Sequence, residues 1–313
     1  MKRSKVHRQR GAALLTAMVI VTLVATLAAA MVWQQWRAVQ VEAAERARLQ
    51  AAWILNGALD WARLILREDA RTGGANGTDN LGEPWAVPLA EARLSTFLAA
   101  DKDNTDDAPD AFLSGAISDA QARYNLRNLF DAAGKVVPGD LKVLQRLCDT
   151  AGVSPEAATR LASALALAST GGSDAPLMPQ SVSQLTWLGL DAQTVALLAP
   201  YVVLLPTATP VNLNTATSDV IAAILGLTAG DAKGLVATRE RTPFKTLDEA
   251  KKSLPEGLAL NEKQVAVATR YFEVRGQLRL NDRVLRERSL VVRSNQEVLT
   301  VQRERMSLTD PAS

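Results

Sequence analysis

The chain has one histidine, His7, and one cysteine, Cys148. One cysteine excludes an intramolecular disulfide, a CxxC redox pair and a cysteine-rich metal site. With the only histidine in a short basic stretch at the start, no Ser-His-Asp or Cys-His constellation can be assembled from the rest of the sequence. A glycine-rich phosphate loop and zinc-ligand spacing are both missing. None of the possible carboxylate pairs among the 33 acids is singled out by its setting. The sequence is therefore read as that of a non-enzyme. Cys148 itself closes Leu144-Gln145-Arg146-Leu147-Cys148, the apolar face of a helix, where a thiol serves packing.

Charge is also missing between Ala12 and Trp33, and the next charged residue is Arg37. As a helix this stretch spans about 33 Å, against about 30 Å for a bilayer core. Upstream lie Lys2, Arg3, Lys5, Arg8 and Arg10, with no acid among them, and such cations hold their flank in the cytoplasm. The chain is expected to start inside, cross once, and place almost everything after Arg37 on the far side. Three readings of this start stand side by side. A cleaved secretory signal has an apolar core of about 7–15 residues; this run is longer, although Ala28-Ala29-Ala30 imitates a cleavage site. A plain signal anchor fits the length. The third reading rests on Gly11, which lies between the basic leader and the apolar run. That placement resembles the type IV prepilins, in which a dedicated peptidase cuts after such a glycine and methylates the new N-terminus. The cut would fall between Gly11 and Ala12, and glycine allows the backbone to extend into a protease cleft. Most of that class carry Glu at the fifth mature position, which here is Thr16.

At 313 residues there is room for one or two domains beyond the anchor. Apolar residues make up 48% and charged residues 22%, a balance that supports a packed core and excludes wholesale disorder. The net charge of +2 depends on the leader; without it the chain is mildly acidic and has no general attraction for nucleic acid.

The helical pattern continues beyond the apolar run, with Trp33 and Trp36 where an interfacial aromatic belt is expected. Val39, Val41, Leu49, Trp53, Ile54, Leu59, Trp61, Leu64, Ile65 and Leu66 then alternate with charges, and the first proline is Pro84. This predicts one long helix to about Arg67, apolar all round at first and amphipathic later. Thr72 to Gly77 is a turn cluster. Asp79 to Leu89 is an ordered loop pinned by Trp85. The acidic run Asp101 to Asp110 offers oxygen ligands but fails the EF-hand spacing, with Asp106 at the glycine position and Phe112 at the twelfth; it is read as a solvated loop. Ala116 to Leu126 alternates like a strand. Asp140–Thr150, Ser154–Ala168 and Gln193–Leu198 are short helices, the second opened by Ser154-Pro155-Glu156.

Val211 to Leu254 reads as a helix with Thr217 or Ser218 as cap, running to Leu225, then a Gly226-Leu227-Thr228 turn. A second helix from Asp231 to Arg241 follows, and a third starts near Pro243. This resembles a helix-hairpin-helix module, some of which bind DNA phosphates through backbone amides. Thr228 replaces the second hairpin glycine and Asp231 offsets Lys233, so helical packing is the favoured reading over DNA binding. In the tail, Tyr271 to Leu280 and Val284 to Arg293 form a hairpin around Asn281-Asp282-Arg283, with Val298 to Arg303 as an edge strand. The many arginines of this region are read as a charged outer sheet face.

Five features occur in one order along nearly the whole chain. They are the prepilin-like start, Leu81-Gly82-Glu83-Pro84-Trp85-Ala86, the strand Ile117 to Leu129, the Asn212-Leu213-Asn214-Thr215-Ala216 module and the Tyr271 to Arg293 hairpin. Together they resemble the general secretion pathway protein K family, the large minor pseudopilins of type II secretion systems. That resemblance accounts for Thr16, because this family typically lacks the fifth-position Glu. It implies an α+β fold with a long N-terminal transmembrane helix, a pilin-like antiparallel sheet and a large all-helical insertion containing the helix-hairpin-helix-like segment. Residues 1–11 become a leader, 12–67 the N-terminal helix (12–33 transmembrane), 68–126 the first part of the pilin-like domain, 127–268 the insertion and 269–313 the C-terminal strands. It also implies a bacterial inner-membrane protein with a periplasmic main domain, placed at the tip of a short pseudopilus that it helps initiate and cap. The implied partners are minor pseudopilins I and J, the major pseudopilin and the prepilin peptidase, with no nucleic acid. The resemblance also implies calcium binding in some members and an acid-rich segment in many relatives, which here is Ser169 to Pro176 with one acid, Asp174; no calcium ligand is carried over. Ala122 stands where relatives often have glycine. The alternative functions are a membrane-anchored helix-hairpin-helix DNA-binding protein and an ordinary anchored scaffold.

Overall fold

A computed structural model of the chain describes residues 10–72, 77–94, 111–280 and 283–306. The basic leader before Arg10, residues 95–110 with the acidic run, residues 73–76 and 281–282 of the two expected turns, and the tail from 307 lie outside the described residues. The chain divides into two compact units after Ile54. In the first unit, helix α1 (Arg10–Thr72) begins. The hydroxyls of Thr16, Thr22 and Thr26 donate back to carbonyls of the preceding turn, which satisfies them inside an otherwise apolar run. Beyond Arg37 the surface changes to spaced ion pairs, Glu42 with Arg46 at 2.6 Å and Glu45 with Arg48 at 3.0 Å.

The second unit, residues 55–313, contains the last turns of α1, which continue to Thr72 rather than stopping near Arg67. Leu59, Ala62 and Leu66 fall on one face of the helix. They pack with Trp85, Phe272, Val274, Val291 and Val298 on one side of an antiparallel sheet. Its strands are β1 (Leu89–Arg93), β2 (Ala111–Asp119), β7 (Tyr271–Leu280), β8 (Arg283–Ser294) and β9 (Glu297–Met306), in the order β1-β2-β7-β8-β9. The C-terminal hairpin and the edge position of the last strand follow the alternation in the sequence. The expected strand Ala116 to Leu126 is corrected: β2 starts at Ala111 and ends at Asp119. There the Asp119 side chain accepts the Gln121 N–H and turns the backbone into a 3-10 helix over Ala120–Ala122. Trp85 is 1% exposed and sits in a second 3-10 helix, Pro84–Ala86, so the loop is pinned where the sequence placed the pin.

The segment between β2 and β7 carries its own core. It comprises β3 (Tyr124–Asn125), α2 (Pro138–Ala151), α3 (Pro155–Ser169), α4 (Ala192–Leu198), β4 (Val202–Val203), β5 (Val211–Asn212), α5 (Ser218–Leu225), α6 (Ala229–Arg241), α7 (Leu247–Lys251) and β6 (Val265–Ala266). Two parallel pairs, β3 with β4 and β5 with β6, tie the helices together; two-residue strands give no periodic signal, and an all-helical reading passes over them. Leu144, Leu147, Cys148, Leu161, Leu165, Val220, Ile221 and Leu235 are among the residues buried in one cluster. Ser154 caps α3 with Pro155 in its first turn, as its sequence indicates. Burial, then Asp149, pushes the Cys148 thiol up to about 11, so it is a packing residue and not a nucleophile.

The reading of the arginine-rich strands as a plain charged outer face is also corrected. Glu273 and Glu287 are buried. Glu273 lies on the sheet face away from α1 and accepts from Arg123 and Arg275, each at 2.7 Å. Burial works to raise its pKa, but the two guanidiniums overcome burial and hold it at about 2. Glu287 faces α1 and pairs with Arg303, which also reaches Asn56. Alternation assigns a face, but not what covers it.

Candidate functional site

Gly11 and Ala12 lie in the first turn of α1, and Thr16 lies one turn on with its hydroxyl 2.7 Å from the Ala12 carbonyl. Leu14, Leu15, Met18, Val19, Ile20, Leu23 and Val24 are each more than half exposed. Among the described residues α1 is the one helix long and apolar enough to cross a membrane. Trp33 and Trp36 pack ring to ring at 5.5 Å at the end of the uncharged stretch, just before Arg37.

The helix-hairpin-helix-like segment is present as α5 and α6, with Thr217 capping the first and Gly226 ending it in the left-handed region at φ 68°. The second helix starts at Ala229, two residues earlier than its sequence pattern indicated, because Thr228 caps it. The hairpin is closed to a phosphate. The Arg146 guanidinium of α2 lies over Gly226 and donates to the Ala223 carbonyl at 2.9 Å, and a Cβ at Gly226 would stand 3.1 Å from it. Thr228 also donates to Asp231 at 2.7 Å, which keeps a carboxylate at the α6 N-terminus where an anion would bind. Gly226→Ala should lose about 1 kcal/mol or more through its positive φ and the contact with Arg146, seen as a lower denaturation midpoint.

The densest polar arrangement is one the sequence does not reveal. Asp79 is fully buried after α1. Its carboxylate accepts from the Thr269 N–H at 2.7 Å and from Arg293 at 2.5 Å. Arg293, on β8, also donates to Asp69 in the last turns of α1 at 2.7 Å. Glu83 accepts from Asn80 at 2.7 Å and from the Trp85 indole at 2.5 Å. The Asp79 carbonyl accepts from the Asn212 amide at 2.9 Å, and that same amide donates to Asp119 at 2.9 Å. Thr215 completes the set, donating to Asp119 at 2.6 Å. The Asn212-Leu213-Asn214-Thr215 module is thus a corner that binds the insertion to the sheet and to the loop after α1. Asn214 closes the corner by donating to Phe244 O and accepting from Phe244 N, both at 2.9 Å.

Carboxylate oxygens of Asp69, Asp79 and Glu83 lie within 4.8 Å of one another, the spacing a cation would need. The cation in contact with two of them is Arg293, and the third is held by Asn80 and Trp85. The group is a charge clamp, and no calcium ligand is assigned to it. Burial pushes Asp79 up to about 6 against the pull of Arg293. Burial also pushes Glu83 up to about 7, with the charge of Asp69 adding to it. Asp119 is raised by burial against its donors Thr215, Thr269 and Asn212. A carboxyl raised in the folded state binds its proton more tightly there than in the unfolded chain. The contribution of Asp79 and Glu83 to stability is therefore fully present below about pH 4 and is lost as pH rises through about 6 to 7. Glu83→Gln should flatten the slope of stability between pH 4.5 and 7, measured by urea unfolding across that range.

Family models described as type II secretion system (T2SS), protein K, match residues 122–207 and 211–270. Over 301 residues the chain is 30% identical to type II secretion system protein K of Pseudomonas aeruginosa, covering 88% of this chain and 86% of that protein. It is 27% identical to the protein of the same name from Pectobacterium carotovorum subsp. carotovorum, covering 95% and 96%. The Klebsiella pneumoniae protein is 31% identical, with 77% and 78% covered. The fold is similar to that of a chain in the crystal structure of the GspK-GspI-GspJ complex from the enterotoxigenic Escherichia coli type 2 secretion system. The TM-score is 0.63 at 20% identity, with 84% of this chain and 98% of that one covered.

Proposed function

From the premise that this chain belongs to the type II secretion system protein K family, a family of minor pseudopilins, we propose that it sits at the tip of the secretion pseudopilus and helps initiate and cap it. The observation that carries the reading is the charge-free, exposed start of α1 with Gly11 at its head. In this reading a prepilin peptidase cuts between Gly11 and Ala12 and methylates Ala12. The mature helix then stays in the inner membrane with its start at the cytoplasmic side, under the positive-inside rule, and the main domain lies in the periplasm. Minor pseudopilins I and J are its direct partners, and the major pseudopilin follows below them. Thr16 suits a subunit with none ahead of it, because no neighbouring N-terminus awaits a carboxylate there. The insertion supplies the bulk that blocks further addition. Its role is structural, and no metal or cofactor is assigned to it.

The test is the intact mass of the membrane-extracted protein with and without co-expressed prepilin peptidase. Loss of residues 1–11 with one methyl gained on Ala12 is expected. Co-purification with minor pseudopilins I and J should then follow from cells expressing all three. An unchanged mass with an active peptidase overturns the processing step and leaves a plain anchor. The DNA-binding alternative has no support in the geometry, since Arg146 and Asp231 occupy the hairpin.

A further inference from the structure

We propose that Asp119 is a positioning residue that fixes the insertion at one orientation to the sheet and the end of α1. The chain passes from sheet to insertion after β2 and returns before β7, and Arg270 and Tyr271 of the return donate to the side-chain oxygen of Gln121 at 2.8 and 3.3 Å. Two crossings lying side by side form a hinge if nothing else holds them. The apolar contact beside them, among Ala120, Val203, Leu205 and Tyr271, is non-directional and tolerates sliding, and the one hydroxyl pair there, Thr207 with Tyr271 at 3.2 Å, lies at the return crossing itself. The ion pair of Arg123 with Glu273 sits next to the same crossing and adds no second point of attachment away from it.

Asp119 supplies that second point. It is the last residue of β2 and is 5% exposed. One oxygen accepts from the Gln121 N–H at 2.7 Å, which sets the turn out of the sheet. The other accepts from Asn212 and Thr215, at the corner before α5, more than ninety positions along the chain. Gln121 reinforces the corner from the same turn by donating to Pro210 O at 2.9 Å. Because the Asn212 amide also holds the Asp79 carbonyl, and Asp79 holds Arg293 and through it Asp69, the ties run unbroken from the last turns of α1 to the start of α5. Hydrogen bonds to a carboxylate are short and directional, so these set an angle where apolar contact sets only proximity. That the angle places the insertion over the filament end rests on the pseudopilin reading; the positioning itself does not.

The experiment measures distance in the full chain in detergent micelles. Spin labels at Arg67→Cys on α1 and Lys233→Cys on α6 occupy exposed positions, and buried Cys148 stays in place. Pulsed electron paramagnetic resonance should give one narrow distance distribution. Asp119→Ala should widen it about twofold or more while amide protection of Leu161 and Leu165 in α3 is kept. Thr215→Val, which removes one donor and leaves the carboxylate, should give an intermediate width, and Asp119→Asn should narrow the distribution relative to Asp119→Ala. A folded Asp119→Ala variant as narrow as the parent overturns the proposal. If Asp119→Ala loses the α3 protection, Thr215→Val decides, and an unchanged width there overturns it too. Failure to bind minor pseudopilins I and J in the unsubstituted chain would count against the proposed function without altering the distance result.

Discussion

Arg293→Ala is expected to cost about 3–5 kcal/mol, the range for removing one partner of a buried ion pair and leaving the other uncompensated. The guanidinium is 11% exposed and joins Asp69 at 2.7 Å and Asp79 at 2.5 Å. It also donates to the Thr269 carbonyl at 3.1 Å and lies 4.9 Å from the centroid of the Phe272 ring. Without it, fully buried Asp79 keeps only the Thr269 N–H as a donor to its carboxylate. Lysine at this position should recover little, because a point charge cannot fork between two carboxylates and stack on a ring at once. The loss should shrink at pH 5 relative to pH 7.5. Burial already raises both acids, and removing their cation raises them further, so they become neutral within that window. Urea unfolding at the two pH values measures both effects, and an equal loss at each would show that packing, not charge, is what the arginine supplies.

Trp85→Ala should cost a comparable amount, about 3–5 kcal/mol, as a large side chain is removed from a packed core. Trp85 meets Phe272 edge to face at 5.2 Å and shares the α1-facing cluster with Leu66 and Val291. Trp85→Phe keeps the ring contact and removes the indole N–H, leaving Glu83 with Asn80 alone. It should lose about 1–2 kcal/mol. A double-mutant cycle with Phe272→Leu should return a coupling of about 0.5–1.5 kcal/mol, the range for an aromatic pair. Zero coupling would mean that Trp85 acts only by filling volume.

The elements with a long period were legible in the residues. The apolar run from Ala12, the stripe through Leu59 and Leu66, the alternation of β7 and β8 and the Ser154-Pro155 cap each announce themselves locally, because the determinants lie within one or two turns of the element. The charge clamp and the corner did not. Asp79 and Arg293 are 214 positions apart, and Asn212 and Asp119 are 93 apart. Single acids and amides at such separations are indistinguishable from solvated surface until the chain is folded. Asn212-Leu213-Asn214-Thr215 is conspicuous as a pattern but reads locally as the approach to a helix, since nothing nearby in the sequence shows that its side chains are buried. The alternation after Ala116 outlasts the strand for a related reason. Ala120, Ala122, Tyr124 and Leu126 continue the alternation of β2, but the turn is made by a hydrogen bond from Gln121 back to Asp119.

The pairing of β2 with β7 has a consequence for the order in which the protein is built. Asp119 and Phe272 are partners in the sheet but stand about 150 residues apart, and closing a loop of that size in a disordered chain costs entropy that grows as the logarithm of its length. The core between them is made from residues of the intervening segment alone. If that segment condenses first, its ends are already adjacent, the effective loop shrinks to the few residues on either side, and the search for register becomes a local one. Lesions in the intervening core then slow the formation of the sheet, whereas lesions in the sheet chiefly hasten its loss.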